Sequence, residues 1–277
     1  MSDLLSIGAS GVRAYQTALS TVSENIANTG TAGYTRRTTT LTEVSSVGGG
    51  LNARRSVSSG GVTIAGIGRS ADAYRSQAVR SAGSDLAKTE AGVTWMNRIE
   101  TALGDNQLGD RMTGFFTSAQ KLAADPTSEP ARAVMLEAAG TAAAAFTATG
   151  RALDTATADL DSTASQAVQS FNALGTALAK INDGIARTAP GSSTAAQLAD
   201  QRDQVLEQMS AIADVNTSFD SLGRTTVRLG GAAGAVFVAG GASEQISYAR
   251  NGEGAVQFAV TGAGGASAVA PVSYTHL

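Results

Sequence analysis

Cysteine is absent from this 277-residue chain, and histidine occurs once, at His276. The first absence excludes a disulfide framework, Cys-ligated zinc, an iron–sulfur cluster and a thiol nucleophile. A single histidine cannot build a His-rich metal site and leaves few general bases. Aromatic residues make up only 5% and prolines number four. No apolar run reaches the roughly 18 residues of a membrane span. Met1-Ser2-Asp3-Leu4-Leu5-Ser6 lacks the basic and apolar regions of a signal peptide. The chain therefore reads as cytoplasmic, or as exported by a route that cleaves no signal. A formal net charge of −3 lacks the basic excess of a nucleic-acid binder, so no such partner is expected.

What is abundant is small. Alanine (53 residues) and glycine (32 residues) together exceed ordinary usage well beyond the roughly 7% that glycine normally contributes. Such a chain favours long helices in close approach over one bulky core. The basic residues are nearly all arginine, with lysine only at Lys88, Lys121 and Lys180. Because the arginines are scattered, this reads as compositional bias before interface chemistry.

The first helix is legible by period. Leu5, Gly8, Val12, Tyr15, Leu19, Val22 and Ile26 recur at alternating spacings of three and four, an a/d seam over three heptads. A stripe of small residues, Gly11, Ala14 and Ala18, lies beside it. Asn28-Thr29-Gly30 supplies turn chemistry and a C-terminal glycine. One apolar seam cannot bury itself, so a partner helix is expected. Thr35 to Thr42 is rich in β-branched residues, Gly48-Gly49-Gly50 breaks the chain, and residues 60–66 read as a short strand between turns.

Helical pattern resumes near Asp72 with Tyr74, Val79, Leu86, Val93, Met96 and Leu103, and a short helix follows over roughly 109–124. Thr127 or Ser128 can cap the next helix, with Pro130 in its first turn. A seam from Met135 through Ala139, Ala142, Phe146, Leu153, Leu160, Ala164, Ala167, Phe171, Leu174, Leu178 and Ile181 to Ile185 makes it some 55 residues, about 80 Å long. Its alanines near 142–145 imply very close helix approach. Pro190-Gly191-Ser192-Ser193 turns the chain, and Thr194 starts a return helix with Leu198, Val205 and Ile212, giving an αα-hairpin. After Asp214 the period becomes two. Residues 215–219, 225–229, 235–239, 245–248 and 255–260 alternate between Gly-rich turns as antiparallel strands. The ending Ser-Tyr-Thr-His-Leu departs from the Ala/Gly style and reads as a non-native tail.

The expected fold is therefore mainly α with a β region. It is elongated, with an N-terminal coiled-coil-type helix, a long αα-hairpin or helical bundle domain, and then an antiparallel β domain. Three regions follow: 1–45, an axial helix and extended arm; 46–214, the helical domain with its hairpin; and 215–277, the start of a β-rich outer domain.

Candidate chemistry is sparse. Gly66-Ile67-Gly68-Arg69-Ser70-Ala71 fits G-x-G-x-x-A, which in a βαβ unit would cradle a pyrophosphate. No βαβ pattern follows, so a strand-to-helix turn is expected. Asp105, Asp110, Asp154, Asp159 and Asp161 read as a solvated face and not a cation site. Asp200, Arg202, Asp203 and Glu207 suit structural ion pairing, with Arg202 facing acids three or four residues away or a facing helix. His276 has no nucleophilic or acidic neighbour in sequence. No catalytic, cofactor-binding or metal residue is nominated.

Ser23-Glu24-Asn25-Ile26-Ala27-Asn28-Thr29-Gly30-Thr31-Ala32-Gly33-Tyr34-Thr35-Arg36-Arg37 resembles the N-terminal signature of the flagellar rod, hook and hook-associated proteins. There an amphipathic helix ends in Asn-Ile-Ala-Asn before Thr-x-Gly-Tyr. Within that axial group, Gly33 to Arg37 is most similar to the hook-associated protein 1 family of hook–filament junction proteins. So are Gly61-Val62-Thr63-Ile64 to Arg75, Phe115-Phe116-Thr117-Ser118 to Arg132, and Leu198-Ala199-Asp200-Gln201-Arg202-Asp203-Gln204.

The resemblance implies a non-enzymatic structural subunit of the bacterial flagellum with no cofactor. It implies secretion by the flagellar type III route, self-assembly into a ring or tubular layer at the distal hook, and no membrane insertion. It further implies hook protein and a second junction protein or the filament as neighbours, and an export chaperone. Its signature falls on Asn25, Asn28, Gly33, Tyr34 and Arg36, and its helical-domain motif on Asp200, Gln201, Arg202 and Asp203. Leu5, Val12, Tyr15, Leu19, Val22 and Ile26 are the expected assembly seam. The family's C-terminal helix, which packs on the N-terminal one, has no counterpart here, so the chain reads as truncated. The alternatives are another rod or hook axial subunit, a secreted coiled-coil tip protein and, more remotely, a nucleotide-dependent enzyme built on residues 66–71.

Overall fold

The computed structural model describes residues 2–44, 60–252, 254–262 and 265–269. The Gly48–Gly50 break and the 271–277 tail with His276 lie outside the described residues. Five helices are present among those described: α1 (Ser2–Ala27), α2 (Ala73–Gly104), α3 (Leu108–Ala124), α4 (Glu129–Arg187) and α5 (Ser193–Ser210). The strands are β1 (Arg37–Glu43), β2 (Val62–Arg69), β3 (Val215–Phe219), β4 (Thr225–Leu229), β5 (Ala235–Ala239), β6 (Ala242–Ser243), β7 (Gln245–Arg250), β8 (Val256–Gly262) and β9 (Gly265–Val269). They form three antiparallel sheets, ordered β1-β2, β3-β4-β5-β6 and β7-β8-β9. The mainly α chain with an antiparallel C-terminal part is as expected, and β6 and β9 are additional strands. The chain divides into two compact units, Met1–Ser84 with Ser170–Leu277, and Asp85–Gln169.

In the first unit, the core joins α4, α5 and the strands. Phe171, Leu178, Leu206, Met209, Val227, Phe237 and Val238 are essentially inaccessible. Burying each such side chain stabilises by about 1.5–3 kcal/mol. Thr225, Val227 and Leu229 alternate inward along β4, as a period of two requires. Strand β5 breaks that rule. A register shift against β4 leaves Phe237 as the extra residue, so Phe237 and Val238 both turn inward. Phe237 stacks on Phe171 at 4.9 Å, and its ring occupies the place a Cβ on Gly175 would take. The core thus runs across Asp214, where the sequence pattern changes period.

Helix α4 starts with Ser128 accepting from the Ala131 N–H and Pro130 in the first turn. Its C-terminal half contributes Phe171, Leu178 and Ile185 to the interior. The turn after it is built on Gly191, whose φ of 75° is left-handed. Gly191 also lies against Gly66 of β2, and the Ile67 N–H donates to the Gly191 carbonyl at 2.7 Å. A side chain at either glycine would separate these segments. Ser192 then caps α5 by accepting from the Ala195 N–H, and Gly184 leaves room for Leu198 across the hairpin. α5 stops at Ser210, short of the expected 212, and Ile212 lies beyond it.

The second unit is lined inside by small residues: Ala102, Ser118, Ala142, Ala145 and Thr149 are buried. Several of its large apolar residues, Leu86, Val93, Met96, Phe116, Leu136 and Phe146, are at least half exposed. Ala142 of the expected seam is buried, whereas Phe146 of the same seam is half exposed and the neighbouring Ala145 turns inward. Small faces let helices approach closely, because interaxial distance follows side-chain size.

Candidate functional site

Two features gather the residues singled out in the sequence, and both are in the first unit. One is the outward face of α1. Among the described residues, the helix lies on β1 and β2 and not on a partner helix. Its contact face is small and polar: Ala14 and Thr21 are buried, Thr39 donates to the Thr21 hydroxyl at 2.9 Å, and the Val62 N–H donates to the Ser10 hydroxyl. Of the stripe Gly11, Ala14 and Ala18, Ala14 is buried and Ala18 half-buried, while a side chain at Gly11 would meet open space. Leu5, Val12, Tyr15, Leu19, Val22 and Ile26 face outward, 52–76% exposed. These residues form an exposed apolar stripe along the helix.

The helix ends without the glycine device expected at Gly30. Asn28 donates to the Glu24 carbonyl and Thr29 donates to the Asn25 carbonyl, so side chains satisfy the last turn. The left-handed residue is Gly33, at φ 75°. A Cβ there would run into Gln204 of α5, whose amide donates to the Ala32 carbonyl at 2.6 Å.

Asn25 ties this turn to β1. Its amide group donates to the Arg37 carbonyl at 2.8 Å, and its oxygen accepts from the Arg37 N–H at 2.8 Å and the Tyr34 hydroxyl at 2.9 Å. The same device recurs twice. Asn172 of α4 pairs with both backbone groups of Ile246, and Asn182 of α4 pairs with both backbone groups of Thr225 and also donates to the Gly240 carbonyl. Each helix asparagine stands in for a neighbouring strand, satisfying backbone groups that would otherwise be orphaned.

The second feature is an ionic clamp between β1, β2 and α5. Arg37 is only 4% exposed and donates to Glu24 at 2.9 Å and to Asp200 at 3.1 Å. Arg69 donates to the other Asp200 oxygen at 2.8 Å, to Asp203 at 2.6 Å and to the Thr35 hydroxyl. Arg202 binds Asp203 and the Gly223 carbonyl, with its guanidinium 4.5 Å from the Phe219 ring centre. Arg37 likewise lies over Tyr34 at 4.9 Å. Arg202 thus pairs with its immediate neighbour and a loop, not with an acid three or four residues away. The arginine of the signature that is buried is Arg37; Arg36 is exposed. Gln201 is on the exposed face of α5, and Gln204 makes the contact.

Sequence reasoning did not single out Arg37, Arg69, Glu24 or Arg80. Nothing in the linear sequence marks which arginines are buried against carboxylates, since that depends on contacts between distant segments. Residues 66–71 end an antiparallel strand, and Asp72 caps α2 by accepting from the Tyr74 and Arg75 N–H groups. This is a strand-to-helix turn with no βαβ unit. The carboxylates of Asp200 and Asp203 are held by guanidiniums, so the arrangement orients and fastens segments. Among the described residues no His/Cys/Asp/Glu group is set to hold a metal ion, and no helix is long and apolar enough to cross a membrane. On the second unit, Asp159 pairs with exposed Arg98 at 3.1 Å.

Comparison with known proteins bears on both features. The family described as flagellar hook-associated protein FlgK helical domain matches residues 96–273, and the flagella basal body rod protein family matches residues 5–35. Flagellar hook-associated protein 1 of Salmonella typhimurium is 30% identical over 254 residues, 89% of this chain and 44% of that protein. Its counterpart in Escherichia coli is 29% identical over 251 residues, covering 89% and 45%. That of Bacillus subtilis is 27% identical over 217 residues, covering 76% and 43%. The chain spans less than half the length of these relatives. In fold, it is similar to the flagellar hook junction protein FlgK from Burkholderia pseudomallei, with a TM-score of 0.57 at 22% identity, over 72% of this chain and 35% of that one.

Proposed function

We propose a function from one premise: the chain belongs to the flagellar hook-associated protein FlgK family. It is a structural, non-enzymatic subunit of the bacterial flagellum that joins hook to filament. It is secreted without a cleaved signal, assembles with copies of itself at the distal hook, and contacts hook protein on one side and a second junction protein or the filament on the other. An export chaperone keeps it assembly-competent.

The observation that carries this reading is the two-sided character of α1. Its small face is used within the chain, and its apolar seam is not. A seam left in water is an interface waiting for its second half, and burying it between subunits offsets the entropy of ordering them.

The experiment is Leu19→Asp or Val22→Asp in the complete gene of a motile strain. Both residues are more than half exposed, so the fold persists by circular dichroism. The hook should form, the protein should reach the medium, and filaments should be missing. Filaments of normal length on either variant would sink the proposal. The rod-protein match over residues 5–35 favours a second reading, a rod subunit. Immunogold labelling at the rod and not at the distal hook would decide for it.

A further inference from the structure

Helix α2 carries a second exposed seam, within the second unit. Leu86, Val93, Met96 and Leu103 are 50–66% exposed. With Thr89 and Glu100, both exposed, they recur at alternating spacings of three and four, as the core positions of a coiled coil do. The opposite side of α2 serves its own unit. There Ala102 is buried, Trp95 is half-buried, and Arg98 pairs with Asp159 of α4.

The seam is a palindrome. Its large side chains follow spacings of seven, three and seven, which read the same in both directions. A second α2 laid antiparallel, with a two-fold axis between Thr94 and Trp95, therefore completes every layer. Leu86 meets Leu103 of the second copy, Val93 meets its Met96, and Thr89 meets its Glu100.

Charge selects this orientation. The acids in the seam and along its margins are Asp85, Glu90 and Glu100, whereas Lys88 and Arg98 project elsewhere by helical spacing. Parallel pairing would set Glu100 against Glu100 in the seam and Asp85 against Glu90 along the margin. Antiparallel pairing moves the two Glu100 residues about 16 Å apart along the axis and brings Glu90 beside Asn97. A slip of one heptad would seat Glu100 against Met96 or Ala82 in place of Thr89, so the polar layer also fixes the register.

We propose that this face of α2 is an antiparallel homodimer interface, its occupant the same face of a second copy, along a seam about 26 Å long. A two-fold contact closes at two copies and does not propagate. It covers α2 in the unassembled chain and is separate from the α1 seam.

The test uses the full chain carrying Leu19→Asp, which silences the α1 seam. Sedimentation over a range of concentrations should show a monomer–dimer equilibrium. Met96→Asp, at an exposed position, should raise the dissociation constant about tenfold or more. Because the chain has no cysteine, cross-linking reads the orientation directly. Under mild oxidation, a mixture of Leu86→Cys and Leu103→Cys chains should form the mixed disulfide. Either variant alone should not, since like positions lie about 26 Å apart. A chain that stays monomeric at every concentration overturns the proposal and leaves this face to a partner of another kind. A dimer indifferent to Met96→Asp, or disulfides that form as fast within one variant as in the mixture, overturns it as well. None of these outcomes bears on the role of α1.

Discussion

Arg37 and Asp200 are separated by 163 positions and meet at 3.1 Å, both side chains at least nine-tenths buried. The pair fastens the strand that follows the N-terminal helix to α5, and Asp200 simultaneously holds Arg69. Removing one partner of a buried ion pair leaves the other charge uncompensated, at a cost of about 3–5 kcal/mol. Asp200→Ala should therefore lower Tm by roughly 10 °C in thermal unfolding. Because Asp200 serves two arginines, Arg37→Met combined with Asp200→Ala should be less destabilising than the two single changes added together, and strict additivity would show the pair to be uncoupled.

The asparagine links make a second prediction. Asn182 is fully buried, and its side chain bonds backbone groups of Thr225 and Gly240. Asn182→Leu leaves those groups without partners, at about 1–3 kcal/mol for each unsatisfied group. Chemical denaturation should show the loss, and hydrogen exchange should place it at the Thr225 amide. Unchanged protection there would refute this role.

The two faces of α1 should respond in opposite ways. Ala14, 2% exposed, sits on the face toward the β1–β2 hairpin. Ala14→Leu overpacks it, costing about 1–3 kcal/mol. Leu19→Ala, on the exposed seam, should change the stability of the isolated chain by no more than about 0.5 kcal/mol. Paired denaturation curves of the two variants check the contrast, and equal losses would contradict it.

Acid should loosen one turn selectively. The Arg224 side-chain hydrogen bond, aided by the backbone N–H groups of Arg224 and Leu222, holds the Asp220 carboxyl below its ordinary range. Since the folded value is the lower one, this stabilisation is complete above the ordinary carboxylate range and disappears as pH falls through the lowered value. Carboxyl-carbon NMR titration should give a midpoint below the ordinary one. Asp220→Asn should remove that acid dependence from the Leu222 and Arg224 amide signals.

Much of the fold was legible along the chain. The three-four period located α1 and α4, Pro130 marked a helix start, the Pro190–Ser193 turn set off α5, and alternation after Asp214 located β3, β4 and β5, because these signals are local. The site was legible only in part. Asp200 and Asp203 were singled out as structural ion-pairing residues, but their partners Arg37 and Arg69 were not. The choice between Arg36 and Arg37 depends on which side of β1 meets α5. Likewise the bulge that turns both Phe237 and Val238 inward has no mark in the sequence, since it is set by the register against β4.

Sequence alone placed most of the helices and strands along the chain, and showed that α1 carries an apolar seam beside a stripe of small residues. Periodicity and turn chemistry act between residues a few positions apart, so they survive in the linear chain. Tertiary structure decided which of those two faces is buried. The hairpin accepts Ala14 and Thr21 at close range, Asn25 and Arg37 lock the turn beside it, and Asp200 holds the arm from more than a hundred residues away. Those choices rest on long-range contacts, and they leave the apolar seam facing outward.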